Sequence, residues 1–150
     1  LSEQSSFLFR SSFMMLLSVG YSYYRGYYDF TISTMMVQIA SIVYWHKPEY
    51  NWKRNLDMFI AIGSIVYHCI RAYKSECHVQ FYSFTTLGTI CYFTSWKVYK
   101  HNKIWSSVYL HSSVHLLYNI AILSLYSGDI VPICDNTIIS SLVTPIQLCN

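Results

Sequence analysis

Four apolar runs limit what this chain can fold into: Phe7 to Tyr24, Tyr28 to Trp45, Leu56 to Ala72 and Ile104 to Tyr126. Each is close to the ~20 residues a helix needs to cross ~30 Å of hydrocarbon. A fifth run, Phe81 to Val98, is richer in Thr and Ser but meets no charge before Lys97, and it is read as a further span. Composition points the same way: 11% of the 150 residues are charged, against roughly 25% in a typical soluble domain. The expectation is a single all-α domain, a multi-pass integral membrane helical bundle with spans near 7–24, 28–45, 56–72, 81–98 and 104–126.

The two ends need separate treatment. Residues 7–24 show no small-x-small cleavage pattern before the apolar pattern resumes, so they are read as a retained helix and not as a secretory signal. Leu1 stands where a Met would open a chain, and an upstream piece is expected. The stretch TIISSLVTPIQL, Thr137 to Leu148, is short for a crossing and is broken by Pro145. A re-entrant or interfacial segment is expected there.

Charge sets the sidedness. The 46–55 and 97–103 loops, on one side of a five-span bundle, hold Lys47, Lys53, Arg54, Lys97, Lys100 and Lys103, while Arg25, Arg71 and Lys74 lie on the other. The positive-inside bias places the first two loops in the cytoplasm or its organellar or virion-interior equivalent. Aromatic residues, 18% of the chain, suit the boundary between lipid and water, where a polar tip stays wet. A net charge of +3 without a basic stripe interleaved with stacking aromatics excludes a nucleic-acid partner. The expected surroundings are the lipid bilayer and protein partners in a membrane complex.

Cys69, Cys77, Cys134 and Cys149 fall near the face opposite the basic loops, and Cys91 is mid-helix. Those four thiols either form two disulfides in an oxidising compartment, with three possible pairings, or stay as free buried thiols. No C-x-x-C spacing exists to support thiolate zinc or redox chemistry.

Ionisable groups within a span cost about 2.5 to 3.5 kcal/mol on insertion scales, so each requires a reason. Asp57, Ser64 and His68 return to within about 20° of one another at 100° per residue and share one helix face. His111 and His115, four apart, share another, extended by Ser107 and by Tyr118 or Asn119. Counted from the loops, His68 lies about 18 Å deep and His111 and His115 about 10 and 16 Å, so three imidazoles are expected to meet. Three His with water in a fourth position is the ligand set of an open catalytic zinc site. Asp57 is shallower and is expected beside Arg54 or His46. The plainer alternative is that His111 and His115 only hydrogen-bond Ser, Tyr and Asn partners between helices.

The segments SIVYWHKPEYNWKRNLDMF and LHSSVHLL resemble the CREST superfamily of membrane hydrolases, which includes alkaline ceramidases and adiponectin receptors. The resemblance lies in His46, in Asp57 eleven residues later, and in the His111, His115 pair. It implies zinc held by three His, with a Ser and an Asp orienting the attacking water against a lipid amide or ester. His46 or His68 would be the third ligand, Asp57 and Ser64 the orienting groups. Ser41 precedes His46 by five residues, one more than in the family, whereas Ser64 and His68 keep the S-x-x-x-H spacing. In texture the chain also resembles small multi-pass proteins of large DNA viruses and of algal or protist membranes.

Two functions follow as expectations. One is a structural or accessory subunit of a larger membrane assembly, such as a virion inner membrane or an organellar complex. The other is a compact zinc-dependent hydrolase. A potassium-type channel is disfavoured, since TTLGT at 85–89 lacks the aromatic and second glycine of a selectivity filter. No nucleophile elbow and no phosphate-cradling glycine loop is present.

Overall fold

A computed structural model describes residues 3–48 and 51–130. All the regular structure there is helical: α1 (Glu3–Ser12), α2 (Met15–Tyr24), α3 (Tyr28–His46), α4 (Trp52–Ala72), α5 (His78–Lys100) and α6 (Ile104–Ser127). The segment 137–148, Cys134 and Cys149 lie outside the described residues. Cys69, Cys77 and Cys91 are free thiols.

The first apolar run is two helices and not one. Ser11 and Ser12 both turn their hydroxyls back onto the carbonyl of Leu8, at 2.9 and 3.0 Å. Such back-bonding competes with the helical ladder and bends it. The chain responds with i to i+3 bonds, Phe13 N–H to the Arg10 carbonyl and Met14 N–H to that of Ser11, before α2 resumes.

Two of the turns are built alike. At the end of α2, Gly26 (φ +76°) sends its N–H to the Tyr23 carbonyl while Tyr27 reaches that of Ser22. At the end of α5, Asn102 (φ +60°) bonds Tyr99 and Lys103 bonds Val98. Both are Schellman endings, which need a left-handed residue just past the helix, and Gly and Asn are the residues that adopt it most readily. The start of α4 is capped by the Asn51 side chain, which accepts from the Lys53 N–H at 3.0 Å.

The helices pack as an up-and-down bundle. The α5–α6 hairpin is the most extensive interface. Ser95 and Ser107 exchange hydroxyl-to-carbonyl bonds of 2.9 and 3.0 Å, and Thr89 meets the Tyr118 hydroxyl at 3.1 Å. α1 and α2 run parallel to α6, with Phe7 edge-on to Tyr109 and Ser18 bonded to Asn119. α3 runs antiparallel to α6, through Thr34 to Tyr126 and Trp45 to His111. α4 lies against α3 and only lightly against α5. Phe30, Phe81, Ile122, Leu125 and Tyr126 form the apolar centre near the 26–28 turn.

That turn is held to the end of α6. The Arg25 guanidinium donates to the Ser127 carbonyl at 3.0 Å and to that of Gly128 at 3.4 Å, placing a cation where α6 leaves carbonyls unpaired. Gly128 sits close against the start of α5, and a Cβ there would stand 2.8 Å from Cys77 Sγ, so the thiol would have to turn aside.

Among the described residues α6 is the one helix long and apolar enough by itself to cross a membrane. α1 and α2 are ten residues each, and α4 carries Lys53, Arg54, Asp57 and Arg71. Five expected spans therefore correspond to one helix of clear spanning composition within a helical bundle.

Gly26→Val is expected to lower the unfolding free energy by about 1 to 2 kcal/mol, because a β-branched residue resists the left-handed region. Denaturation in detergent micelles followed by circular dichroism reads the change.

Candidate functional site

The polar residues of the interior lie on faces set by helical spacing. On α3, Phe30, Thr34, Gln38 and Ser41 recur every three or four residues and are all buried. On α4, Asp57, Ser64 and His68 face α3, and on α6 Tyr126 does so, while Asn119 turns to Ser18 of α2.

His68 is the centre of this arrangement, with 1% of its surface exposed. Its Nδ1 lies 2.7 Å from the Ser64 carbonyl, and its Nε2 lies 2.7 Å from the Tyr126 hydroxyl. A carbonyl only accepts, so Nδ1 carries the proton and Nε2 is left to accept from Tyr126. Tyr126 has then spent its proton, and Thr34 donates to it at 3.0 Å. The chain of donation runs from Thr34 to Tyr126 to His68 to the Ser64 backbone, and it ties α3, α6 and α4 together. The Ser64 hydroxyl adds a 2.9 Å link to Ser33. Phe30 and Phe81 close over the ring, with centroids 4.8 and 6.5 Å away.

His68 therefore does not join the other imidazoles. It meets α6 at Tyr126, eleven residues beyond His115 and so about 16 Å further along the axis. His111 and His115 stay together, with ring centroids 5.3 Å apart, and His111 packs against Trp45 and Tyr92. Their expected hydrogen-bond partners are used elsewhere: Ser107 by Ser95, Tyr118 by Thr89 and Asn119 by Ser18. His46 turns the other way, towards the Phe9 ring at 6.1 Å, because neighbouring residues on a helix point about 100° apart.

Asp57 takes neither expected partner. Its carboxylate accepts a 2.7 Å bond from Ser41 on α3. Ser41 lies one turn before Trp45 and His115 one turn after His111, so on antiparallel helices Ser41, Asp57 and His115 share one depth. The count along α4 agrees, since Asp57 precedes His68 by the same eleven residues that separate His115 from Tyr126. Ser64 lies on the His68 side, two turns away from this level.

A further charged cluster closes the opposite end of the α3–α4 seam. Arg71 meets Asp29 at 2.6 Å, and the Tyr67 hydroxyl donates to the same carboxylate. The guanidinium also covers the Phe30 ring at 4.9 Å. Asp29 and Arg71 were legible as opposite charges just inside two apolar runs, at the same end of the bundle, yet the stripes above do not include them. Both amide atoms of Gln38 and the Thr85 hydroxyl are buried without a hydrogen-bond partner among the described residues.

Among the described residues no three His, Cys, Asp or Glu side chains converge in a way that holds a metal ion. His111 and His115 supply two imidazoles, and the third expected nitrogen, His68 Nε2, is taken by Tyr126. The donor set is one short of the zinc site implied by the resemblance. Comparison with protein-family models, curated proteins and solved structures gives no match to this chain.

Tyr126→Phe is expected to destabilise the fold by about 1 to 3 kcal/mol, since it leaves His68 Nε2 buried with nothing donating to it. Gln38→Leu removes two buried polar atoms that have no partner, and is expected to be neutral or stabilising by about 1 kcal/mol. Unfolding of the two variants in micelles, compared side by side, checks both signs.

Proposed function

We propose that this chain is a small multi-pass membrane protein that acts as a structural or accessory subunit of a larger membrane assembly. The observation that carries the reading is the reversal of polarity between inside and outside. Among the described residues about half of the buried positions are polar, including Ser12, Ser18, Ser22, Thr34 and His68, each 1% exposed or less. Thirty large apolar or aromatic side chains are exposed instead. In water that distribution leaves apolar surface far beyond the few hundred Å² a monomer tolerates. In lipid it is the favourable one, with small and hydroxyl residues between helices and apolar chains outside.

Lys47, Lys53, Arg54, Lys97, Lys100 and Lys103, at the helix ends that flank the α3–α4 and α5–α6 connections, support an inner-side location for that end of the bundle. The role in an assembly is supported by α4, which buries only His68 and Ala72 along its length. Phe59, Ile62, Val66, Ile70 and Tyr73 make one exposed ridge on it, a surface on which a neighbouring helix packs. A virion inner membrane or an organellar complex is the setting of this reading.

A second reading, a zinc-dependent hydrolase of lipid amides or esters, is favoured by one observation. The adjacent imidazoles of His111 and His115 lie at the depth of the Ser41–Asp57 pair. It ranks second because the third ligand is missing from that level.

In a background with the native cysteines replaced, single cysteines at Lys74 and Asn102 are expected to react with an impermeant maleimide from opposite sides of sealed vesicles. Reaction of both from one side contradicts the topology. For the role, mild extraction is expected to yield a complex of fixed stoichiometry that Ile62→Asn with Val66→Asn dissociates. A chain that is fully stable alone and holds one zinc per molecule, lost with His115→Ala, favours the hydrolase instead.

A further inference from the structure

On α1, Glu3, Phe7 and Arg10 recur at four and three residues and share one face with Ser6. Together with Trp105 of α6 they line a groove of about 360 Å³, within the ~300 to 1,000 Å³ range of small-ligand sites. α1 and α6 run parallel and touch at Phe7 and Tyr109. One turn earlier on each, Glu3 and Trp105 are level with one another, at the end of the bundle where both helices begin. Arg10 is two turns further in, about 10 Å along the axis.

The order from the end of the bundle inward is therefore carboxylate and indole, then guanidinium, then apolar surface. The last part is Phe13, Met14 and Leu17, all exposed just beyond the break that ends α1. A zwitterionic phospholipid presents the same sequence in complementary form: its amine is outermost, its phosphate lies beneath, and its acyl chains run inward. Arg offers a planar fork of donors matched to phosphate oxygens. Trp is the best aromatic face for an ammonium group, and Glu3 adds the opposite charge. The long Arg10 side chain leans towards the start of its helix, back to the phosphate level.

We propose that the α1–α6 groove binds one zwitterionic phospholipid by its headgroup, with Arg10 on the phosphate and Glu3 and Trp105 on the amine. The proposal rests on the membrane reading above. Ethanolamine and choline headgroups share this chemistry and differ in the weight they put on the two amine partners. An ethanolamine donates hydrogen bonds to Glu3, whereas a choline has no N–H and depends on the Trp105 face. A glycerol headgroup has no amine, and its lipid brings only negative charge towards Glu3.

The test titrates the full chain in mild detergent with phosphatidylethanolamine, phosphatidylcholine or phosphatidylglycerol and counts retained lipid by native mass spectrometry. One amine lipid is expected to stay bound while phosphatidylglycerol is released. Arg10→Gln is expected to lower retention about tenfold. Glu3→Lys, at an exposed position, is expected to keep the thermal midpoint and reverse the preference towards phosphatidylglycerol, a result that simple damage does not give. Loss with Glu3→Gln identifies ethanolamine as the preferred amine, and loss with Trp105→Leu identifies choline. Equal retention of the three lipids by an embedded chain, or an unchanged preference in Glu3→Lys, overturns this proposal alone. A chain that stays in solution without detergent overturns the membrane reading and the proposal with it.

Discussion

The hydrogen bond from the Tyr126 hydroxyl to His68 Nε2 is the contact on which the rest of the bundle depends. It joins α6 to α4, two helices that otherwise meet little. The Ser64 carbonyl, which only accepts, puts the imidazole proton on Nδ1, so that Nε2 accepts from Tyr126 and Thr34 becomes the donor to Tyr126. Each member has one role open to it, so the chain holds in a single direction. In surroundings without water an unmade bond of this kind costs more than it does at a wet surface. The ring stack of Phe30 and Phe81 keeps water out and so maintains that cost.

The same contact determines where the other polar groups end up. By setting Tyr126 level with His68, it sets His115 level with Asp57. The α3–α4 seam therefore has one carboxylate near each end, Asp57 on Ser41 and Asp29 on Arg71 and Tyr67. The His111, His115 pair lies level with the first of these, and His111 packs on Trp45 and Tyr92 instead of on a third imidazole. A polar interior of this kind aligns helices against one another, and the large apolar side chains are left on the outer faces.

How much of this was legible in the sequence differs from feature to feature. The helical class follows from the apolar runs, and the charged connections mark where helices end, because charged side chains stay in water at the ends of the bundle. The break between α1 and α2 does not follow, since Ser11 and Ser12 look like ordinary helical serines until both hydroxyls turn onto Leu8. The polar stripe of α4 was readable from its spacing, but its partner was not. Depth counted from Leu56 starts one turn late, because Asn51 caps the helix and lets it begin at Trp52. The displacement of α4 along α6 is set by long-range contacts that periodicity does not encode. Ser41 gave a usable signal, standing with Thr34 and Gln38 on one face of α3, and pairing that face with Asp57 would have found the bond.

Spin labels placed singly along α4, in the chain reconstituted without partners in lipid bilayers, measure the central claim most directly. The account predicts that labels at Phe59, Ile62, Val66 and Ile70 collide with oxygen and not with a water-soluble nickel chelate, while labels at Ser64 and Ala72 are shielded from both. Collision of the nickel chelate with the first four positions, or the absence of any helical period in the oxygen signal, would contradict it.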